Sequence, residues 1–545
     1  MKVGFSFPGV NDGTHGVVYG LDVAIKNLVT AFCKYSGQET LDVIADGDAP
    51  EQFMRMATGC GISPHVIQTY SAKNPQHFFD ALDVIFHPDP LLTKMAWQRA
   101  QGLQKLVPLC GVVHTPSTER VMQAMVDLAL APTFDCDALV CPSRALASSV
   151  QELWAGWGDY LAWRLGKKFV APLHTPVIPL GTDVAAKAAL AAPALRSVQR
   201  QQLALGDDDV VLLFVGRLSF ATKTHPISML MAAEEAAIQL HGQKNIHLIM
   251  YGYFEPALME KPFQQLAKQF CTHATVHFIQ NNDARFPQGL WAGADIFLSL
   301  IDNIQESFGL TPVEAMACGL PAIISDWDGY KDTVKDGETG FLIPTCAPTA
   351  VAGHAIAHHY FNNTCNYGEM LSSCSQSTAI DIQAAAIAIV ALAGTPALRQ
   401  RMGDAAAQRA HTMFDWPVVM AMYRDLWAAQ KASAETLHAE TPMPTGFFPA
   451  SHPNPFRVFQ SYPSTTLQPH TTLMRSDTAP AIMAILQNPM NFFMPNLLLP
   501  PDQMEQLSQH FSSPASVATV LNGVHDDIMM RSLGWLLKFG VLHVV

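Results

Sequence analysis

The chain has 545 residues, of which 49% are hydrophobic and 14% charged. It is therefore long enough for more than one hydrophobic core and too apolar for a disordered protein. Its formal net charge of −13 excludes the clustered Lys and Arg surface that nucleic-acid binding requires. A local phosphate site stays compatible with this charge, because such a site needs only a few well-placed cations.

Short apolar runs alternate with longer helical patterns from the first residues onward, and they end near residue 430. Strands are predicted in a first series at Val3–Phe7, Leu41–Ala45, Val84–Phe86, Leu106–Val113 and Ala138–Cys141, with helices between them at 20–35 and 143–153. A second series of strands is predicted at Val210–Val215, Ile246–Tyr251, Val276–Phe278, Ile296–Leu300 and Ala322–Ser325. This alternation predicts two doubly wound parallel sheets, which we place at 1–190 and 191–400. Ligands bind at the carboxyl ends of strands in such sheets, so a cleft is expected between the two domains.

The composition changes after residue 430. Seven prolines between positions 442 and 469 interrupt any long helix or central strand, and we predict a Pro-rich linker over 431–500. Residues 501–545 are expected to form a winged-helix-like module of three helices (502–511, 514–521 and 526–539) and a final strand. The module has few basic residues, which favours contact with a protein over DNA.

The ten cysteines show no paired C-x-x-C spacing, and several lie inside apolar runs. This pattern predicts reduced cysteines in a cytoplasmic protein. The N-terminal residues resemble a strand more than a signal peptide, and no apolar window of about 18 residues predicts a membrane span.

The strongest motif lies at 306–321, between a predicted strand and a helix that begins near Pro312. Glu306 falls in the loop at the carboxyl end of the strand. The backbone N–H groups of Phe308, Gly309 and Leu310 are expected at the helix N-terminus, where a phosphate binds well. Glu314, on the first turn, is placed to accept hydrogen bonds from two ribose hydroxyls.

This segment resembles the E-x7-E motif of retaining glycosyltransferases with the GT-B fold, the glycosyl transferases group 1 type. Further segments resemble the same family in the same order: 177–183, 214–219 followed by Lys223, 329–340 and 414–416. The resemblance implies two Rossmann-like domains facing across a cleft, with an α-rich C-terminal extension added here. It also implies that a helix over 401–430 crosses back to the first domain.

The resemblance assigns roles to particular residues. Arg217 and Lys223 would bind the diphosphate of a donor sugar, where two cations stabilise the charge that develops on the leaving group. His114 and Glu306 would act at the donor sugar itself. Gly16 would contact the donor from the glycine-rich loop 9–16 after the first strand.

The implied reaction transfers a hexose from a UDP- or GDP-sugar with retention, by a front-face mechanism in which the leaving phosphate helps to deprotonate the acceptor. The triplets 135–137 and 326–328 contain two aspartates each, but turn chemistry explains both, and no metal cofactor is expected. A glycan, a lipid-linked sugar and a small molecule all stay open as acceptors. Peripheral contact with the inner face of a membrane, or with a protein through the C-terminal module, also stays open.

Two other functions are compatible with the same fold. One is a phosphorylase or nucleotide-sugar epimerase, and the other is a non-catalytic nucleotide-sugar-binding protein whose C-terminal module docks a partner. The complete set of Arg217, Lys223, Glu306 and Glu314 disfavours the non-catalytic alternative.

Overall fold

The computed structural model describes residues 1–10, 20–101, 105–167, 171–206, 208–440, 448–449, 451–522 and 526–545. The chain forms two compact units, Met1–Phe447 and Phe448–Val545. The first unit contains two six-stranded sheets. Two doubly wound α/β domains and a C-terminal extension confirm the predicted GT-B fold class.

The first domain has all of its strands parallel, in the order β3-β2-β1-β4-β5-β6. Its strands are β1 (Val3–Ser6), β2 (Leu41–Ile44), β3 (Ile67–Tyr70), β4 (Val84–Phe86), β5 (Leu109–Val112) and β6 (Ala138–Val140). Its helices are α1 (Gly20–Tyr35), α2 (Ala49–Gly59), α3 (Pro75–Ala81), α4 (Thr93–Arg99), α5 (Glu119–Leu130) and α6 (Arg144–Leu165). Short, continuously buried strands of this kind are typical of a sheet covered on both faces.

Two short helices, α7 (Val184–Ala189) and α8 (Pro193–Gln202), lead into the second domain. Its sheet is again parallel, in the order β12-β11-β10-β7-β8-β9. Its strands are β7 (Asp209–Val215), β8 (Asn245–Gly252), β9 (Thr275–Gln280), β10 (Ile296–Ser299), β11 (Ala322–Ser325) and β12 (Gly340–Ile343). Helices α9 (Ile227–Gln239), α10 (Glu260–Phe270), α11 (Leu310–Ala317) and α12 (Tyr330–Thr333) connect them.

The rest of the first unit is mainly helical. It comprises β13 (Thr345–Cys346), α13 (Gly353–Phe361), α14 (Tyr367–Gln376), β14 (Ala379–Ile380), α15 (Ile382–Gly394), α16 (Pro396–Arg409) and α17 (Trp416–Glu440). In the described part of the chain no single helix is long and apolar enough to cross a membrane. Only α15 taken together with 396–414 reaches that length and composition, and this pair is bent by 103°.

Helix α17 ends the first unit by packing on the first domain. The side chain of Trp427 is fully buried, with its ring 6.0 Å from that of Phe32 and 5.2 Å from that of Phe86. At the start of the helix, the ring of Trp416 lies so close to Gly181 that a Cβ there would approach it to 2.4 Å. Helix α17 therefore packs into the core of the first domain, and its contact with residue 181 leaves room only for glycine.

The structure over 431–500 differs from the linker that was predicted there. Residues up to 440 continue α17, and Thr472–Arg475 form the central strand of a three-stranded antiparallel sheet. That strand was missed because it has only four residues between proline-rich segments, and the burial of Leu473 depends on its partners. The elements are α18 (Pro455–Val458), β15 (Thr472–Arg475), α19 (Ile482–Leu486), α20 (Pro501–Gln509), β16 (Ala515–Ser516), α21 (Val517–Val520), α22 (Asp527–Lys538) and β17 (Leu542–Val544).

Candidate active site

A cleft of about 320 Å³ lies between the two domains, at the carboxyl ends of their strands. The first domain contributes Ala24, His114 and Thr115, and the second contributes residues from the loop after β7 and the segment 305–311. The cleft therefore lies where doubly wound sheets place their ligand sites. Of the predicted site residues, His114, Arg217, Lys223, Glu306, Phe308, Gly309 and Leu310 line it.

The segment after β10 turns sharply at Gly309 before α11 begins at Leu310. Gly309 has a φ of +89°, and a Cβ at this position would lie 2.1 Å from the ring of Tyr330. Only glycine fits both the backbone conformation and the space. The turn places the first residues of α11, Leu310 and Thr311, in the cleft lining, and the N-terminus of a helix has free N–H groups that can bind an anion.

The ring of Phe308 is buried and packs against the ring of Phe414, with the centroids 5.9 Å apart. The side chain of Phe308 thus fixes the loop from behind, while its backbone faces the cleft. That Phe308 and its neighbours act through backbone groups stays a prediction.

Lys223 and Glu306 form an ion pair across the cleft floor, and their side chains are only 15% and 16% exposed. Burial alone would lower the pKa of Lys223, but the charge of Glu306 and the nearby Tyr330 raise it above its ordinary value. Lys223 is therefore a full cation. A bound phosphate would offer this cation a second anionic partner.

Arg217, the other predicted phosphate ligand, is held by a residue that the sequence analysis missed. Its guanidinium donates to the Glu255 carboxylate at 2.7 Å and to the carbonyl of Thr222 at 3.3 Å. Glu255 also accepts a hydrogen bond from the hydroxyl of Thr222 at 3.3 Å. Its position just beyond β8, the strand next to β7, was the signal that could have identified it.

Glu314 is not among the residues of the described ranges that line the cleft. Its carboxylate pairs with the ammonium of Lys187 on α7 at 2.8 Å, and the two side chains are 20% and 29% exposed. A ribose would therefore have to share Glu314 with Lys187. Gly16, the remaining predicted donor ligand, lies outside the described residues.

His114 lies on the first-domain wall of the cleft, and both its ring and its backbone are fixed. Its Nε2 is 2.8 Å from the carbonyl of Pro88, and its own carbonyl accepts a hydrogen bond from the hydroxyl of Ser307. Burial lowers the pKa of His114, against smaller opposing effects from Pro88 and Asp89. Because the Pro88 carbonyl can only accept, Nε2 carries the proton and Nδ1 is left as an acceptor.

The two aspartate triplets have structural partners. Asp137 is buried and accepts two bonds of 2.7 Å from Arg99, as well as backbone N–H bonds from Leu109 and Phe134. Asp328 adopts a φ of +44° in the turn after β11, and burial, followed by the charge of Glu306, raises its pKa well above the usual range. The described ranges contain no group of three or more His, Cys, Asp or Glu residues arranged to hold a metal.

Residues 196–357 match the family model of glycosyl transferases group 1. The D-inositol 3-phosphate glycosyltransferase of Geodermatophilus obscurus is 26% identical over 288 residues, which cover 52% of this chain and 60% of that protein. A second such enzyme, from Catenulispora acidiphila, is 30% identical over 173 residues, covering 31% of this chain and 40% of that protein. The matched regions thus span less than two thirds of either relative.

Among solved structures, sucrose-phosphate synthase from Thermosynechococcus elongatus is 19% identical, with a TM-score of 0.48, and the match covers 81% of this chain and 100% of that one. Anabaena Alr3699/HepE in complex with UDP and glucose is 18% identical, with a TM-score of 0.46 and the same two coverages. At these TM-scores the similarities bear on neither substrate nor mechanism.

Proposed function

We propose that the chain is a glycosyltransferase, because residues 196–357 match the family model of glycosyl transferases group 1. Its donor is a nucleoside diphosphate hexose, and the product keeps the configuration of the anomeric carbon. The acceptor is a glycan, a lipid-linked sugar or a small molecule bearing a hydroxyl group. The observation that carries the proposal is one cleft lined by Arg217, Lys223, Glu306 and the first N–H groups of α11.

The diphosphate binds between two cations and a helix N-terminus. Arg217 and Lys223 line the cleft from the loop after β7, and Gly309 and Leu310 line it from the start of α11. Both groups stabilise negative charge, which grows on the phosphate as the bond to the sugar breaks. The two cations already supply the charge that a metal would bring, so we propose a reaction without a metal cofactor.

Glu306 changes partner when the donor binds. It pairs with Lys223, and we propose that the phosphate takes over this role while Glu306 accepts hydrogen bonds from sugar hydroxyls. Glu314 approaches the ribose from α11, with Lys187 beside it. His114, neutral and with Nδ1 as an acceptor, binds a donor hydroxyl near the anomeric carbon.

Retention follows from attack on the face that the phosphate leaves. The acceptor oxygen bonds to the anomeric carbon as the bond to the phosphate oxygen breaks, and the acceptor proton moves to that phosphate. This front-face reaction needs no carboxylate nucleophile. Closure of the domains limits competing attack by water.

A thermal-shift screen with UDP, GDP, ADP and their hexose conjugates tests the proposal. A nucleotide at 100 times its Kd should stabilise the folded chain by about 2.7 kcal/mol. The binding nucleotide sugar is then incubated with candidate acceptors, and the anomeric configuration of the product is read by NMR. Release of nucleoside diphosphate that depends on an acceptor supports transfer, whereas an epimerised donor or consumption of inorganic phosphate would indicate the other reactions of this fold. If no nucleotide binds, the proposal is wrong.

A further inference from the structure

Helices α13 and α14 form an excursion from the second domain, which we call the α13–α14 hairpin (residues 353–376). Strands β13 and β14 pair antiparallel at its base, with Thr345 opposite Ile380 and Cys346 opposite Ala379. The chain therefore leaves and returns at the same place. The family match ends at residue 357, inside α13, so most of the hairpin lies beyond the matched region.

The hairpin is anchored beside the cation Lys223. Near the end of α14, the hydroxyl of Ser375 donates to the buried carboxylate of Asp302. The same oxygen of Asp302 accepts the backbone N–H of His225 at 3.3 Å. At the other end of α14, a Cβ on Gly368 would lie 4.0 Å from the side chain of Ala221. Helix α14 thus runs along the loop that carries Lys223.

Tyr367, the first residue of α14, connects this hairpin to the opposite wall of the cleft. Its hydroxyl lies 2.7 Å from the hydroxyl of Ser117 in the first domain. Ser117 is 7% exposed, and its hydroxyl is 3.2 Å from that of Thr115, which lines the cleft. A chain of three hydroxyl groups therefore joins the cleft lining of the first domain to the hairpin of the second.

Other polar contacts between the two domains, such as the bond from the hydroxyl of Ser307 to the carbonyl of His114, come from different elements. The hydroxyl of Ser143 donates to the carbonyl of Ser307 at 2.8 Å, and Arg144 pairs with Asp332 at 2.6 Å. None of these contacts involves the hairpin. Breaking the bond between Tyr367 and Ser117 should therefore release the hairpin from the first domain while these other contacts persist.

We propose that Tyr367 is a positioning residue that latches the α13–α14 hairpin to the first-domain wall of the cleft and so determines whether the donor sugar is transferred or hydrolysed. The proposal rests on the proposed glycosyltransferase function. In hydrolysis the oxygen of water bonds to the anomeric carbon, the bond to the phosphate oxygen breaks, and one proton of water is released. Free sugar and nucleoside diphosphate result. The latch keeps water away from the anomeric carbon until an acceptor occupies its place.

The latch itself is tested without a nucleotide, by hydrogen–deuterium exchange on the full chain. Tyr367→Phe and Ser117→Ala each remove one of the two hydroxyl groups that form the hydrogen bond between Tyr367 and Ser117. Ser117→Thr keeps a hydroxyl group at position 117. A neutral hydrogen bond corresponds to roughly a 3- to 10-fold change in an opening equilibrium, so exchange in 353–376 should accelerate by about that factor in the first two variants. Exchange in the double variant should be little faster than in either single variant, because the two substitutions remove the same hydrogen bond.

Tyr360→Phe is the matched control, since Tyr360 lies on the same hairpin with its ring 6.4 Å from that of Tyr367 and is not part of the bridge. Its exchange should match that of the wild type. The latch would be refuted if exchange in Tyr367→Phe were as slow as in the wild type, or if Tyr360→Phe accelerated exchange as much as Tyr367→Phe.

The chemical consequence is measured with UDP-glucose and GDP-mannose in the absence of an acceptor. Tyr367→Phe and Ser117→Ala should release free sugar about 3- to 10-fold faster than the wild type, with an unchanged donor KM. Ser117→Thr should restore the wild-type rate. If the wild type binds and uses a donor but hydrolysis is unchanged in Tyr367→Phe, the role in partitioning is wrong. If the wild type binds none of the nucleotides in the thermal-shift screen, the proposed function fails, and the exchange experiment still tests the latch.

Discussion

The ammonium of Lys223 and the carboxylate of Glu306 pair within the cleft, although the two residues come from different loops of the second domain. Each is the other's counter-ion. A buried charge left without its partner is costly. Under the proposed function, the pair links donor binding to the electrostatics of the site, because a phosphate bound to Lys223 would separate it from Glu306.

Replacing Glu306 by Gln should separate binding from turnover. The variant leaves Lys223 without its carboxylate and free for phosphate, so we expect nucleoside diphosphate to bind at least as tightly as in the wild type. Turnover should fall by about 10²- to 10³-fold, the usual loss when one group that stabilises a transition state is removed. Calorimetry with the nucleoside diphosphate and steady-state kinetics with the full donor measure the two effects. Turnover near that of the wild type would show that Glu306 has no catalytic role.

Arg217→Ala should weaken nucleoside diphosphate binding by about 10- to 100-fold, because hydrogen bonds to charged groups contribute about 1.5–3 kcal/mol. Glu255→Gln should give a smaller loss, since it removes the charge that orients Arg217 at 2.7 Å. The control is Arg285→Ala, which removes an exposed arginine paired with Asp283 on the same domain. Equal losses in the Arg217 and Arg285 variants would indicate a general charge effect and not a binding site.

Gly309→Ala should destabilise the loop and the site together. The substitution places a Cβ against the Tyr330 ring at a φ of +89°, and we expect a loss of about 1–3 kcal/mol in the free energy of unfolding, as for other strained positions. Gly156→Ala is the matched control, because this glycine lies within α6 with nothing within 4 Å of an added Cβ. It should stabilise the chain by about 0.5–1 kcal/mol. Urea denaturation measures both, and a neutral Gly309→Ala would contradict the geometry.

Acid stability should depend on Glu234. Burial would raise the pKa of this carboxylate, but hydrogen bonds from the 272–274 segment lower it to about 2, from an ordinary value of 4.5. A depressed pKa in the folded state contributes stability above the unfolded pKa, and this stability is lost as the pH falls. Unfolding measured between pH 6 and pH 2 should therefore show a steeper loss in the wild type than in Glu234→Gln, over the window from about 4.5 down to 2.

The neighbouring Glu235→Gln makes the same change in charge on α9 and serves as the control. Its acid limb should follow that of the wild type. Parallel limbs for the wild type and Glu234→Gln would show that the contacts of Glu234 with the 272–274 segment do not persist in solution.

Strands buried on both faces were predictable, whereas two of the four edge strands, β3 and β12, were missed. The central strands β1 and β10 have continuous apolar runs that only a covered parallel sheet explains. The edge strand β3 has Gln68 and Thr69 exposed in its middle, so its sequence lacks that signal. β12 was missed for a similar reason, because it begins at a glycine and is only partly buried.

The residues of the motif at 306–314 could also be identified from local sequence. The spacing from Glu306 to Glu314 and the glycine at 309 belong to one strand–loop–helix segment, whose geometry is set within a few residues. Ion pairs between segments that are far apart in the sequence could not be predicted in this way. The contacts of Glu255 with Arg217 and of Lys187 with Glu314 join residues 38 and 127 positions apart, and no local pattern records them.

The sequence by itself determined which backbone turns and charges this protein has, because hydrophobic period, glycine placement and motif spacing act over short stretches of chain. Only the tertiary structure decided which charges neutralise one another and which elements close the cleft. The bond between Tyr367 and Ser117 spans 250 positions and forms only once both domains have folded and met. Its existence depends on distances in space, which a single sequence does not encode in any local pattern.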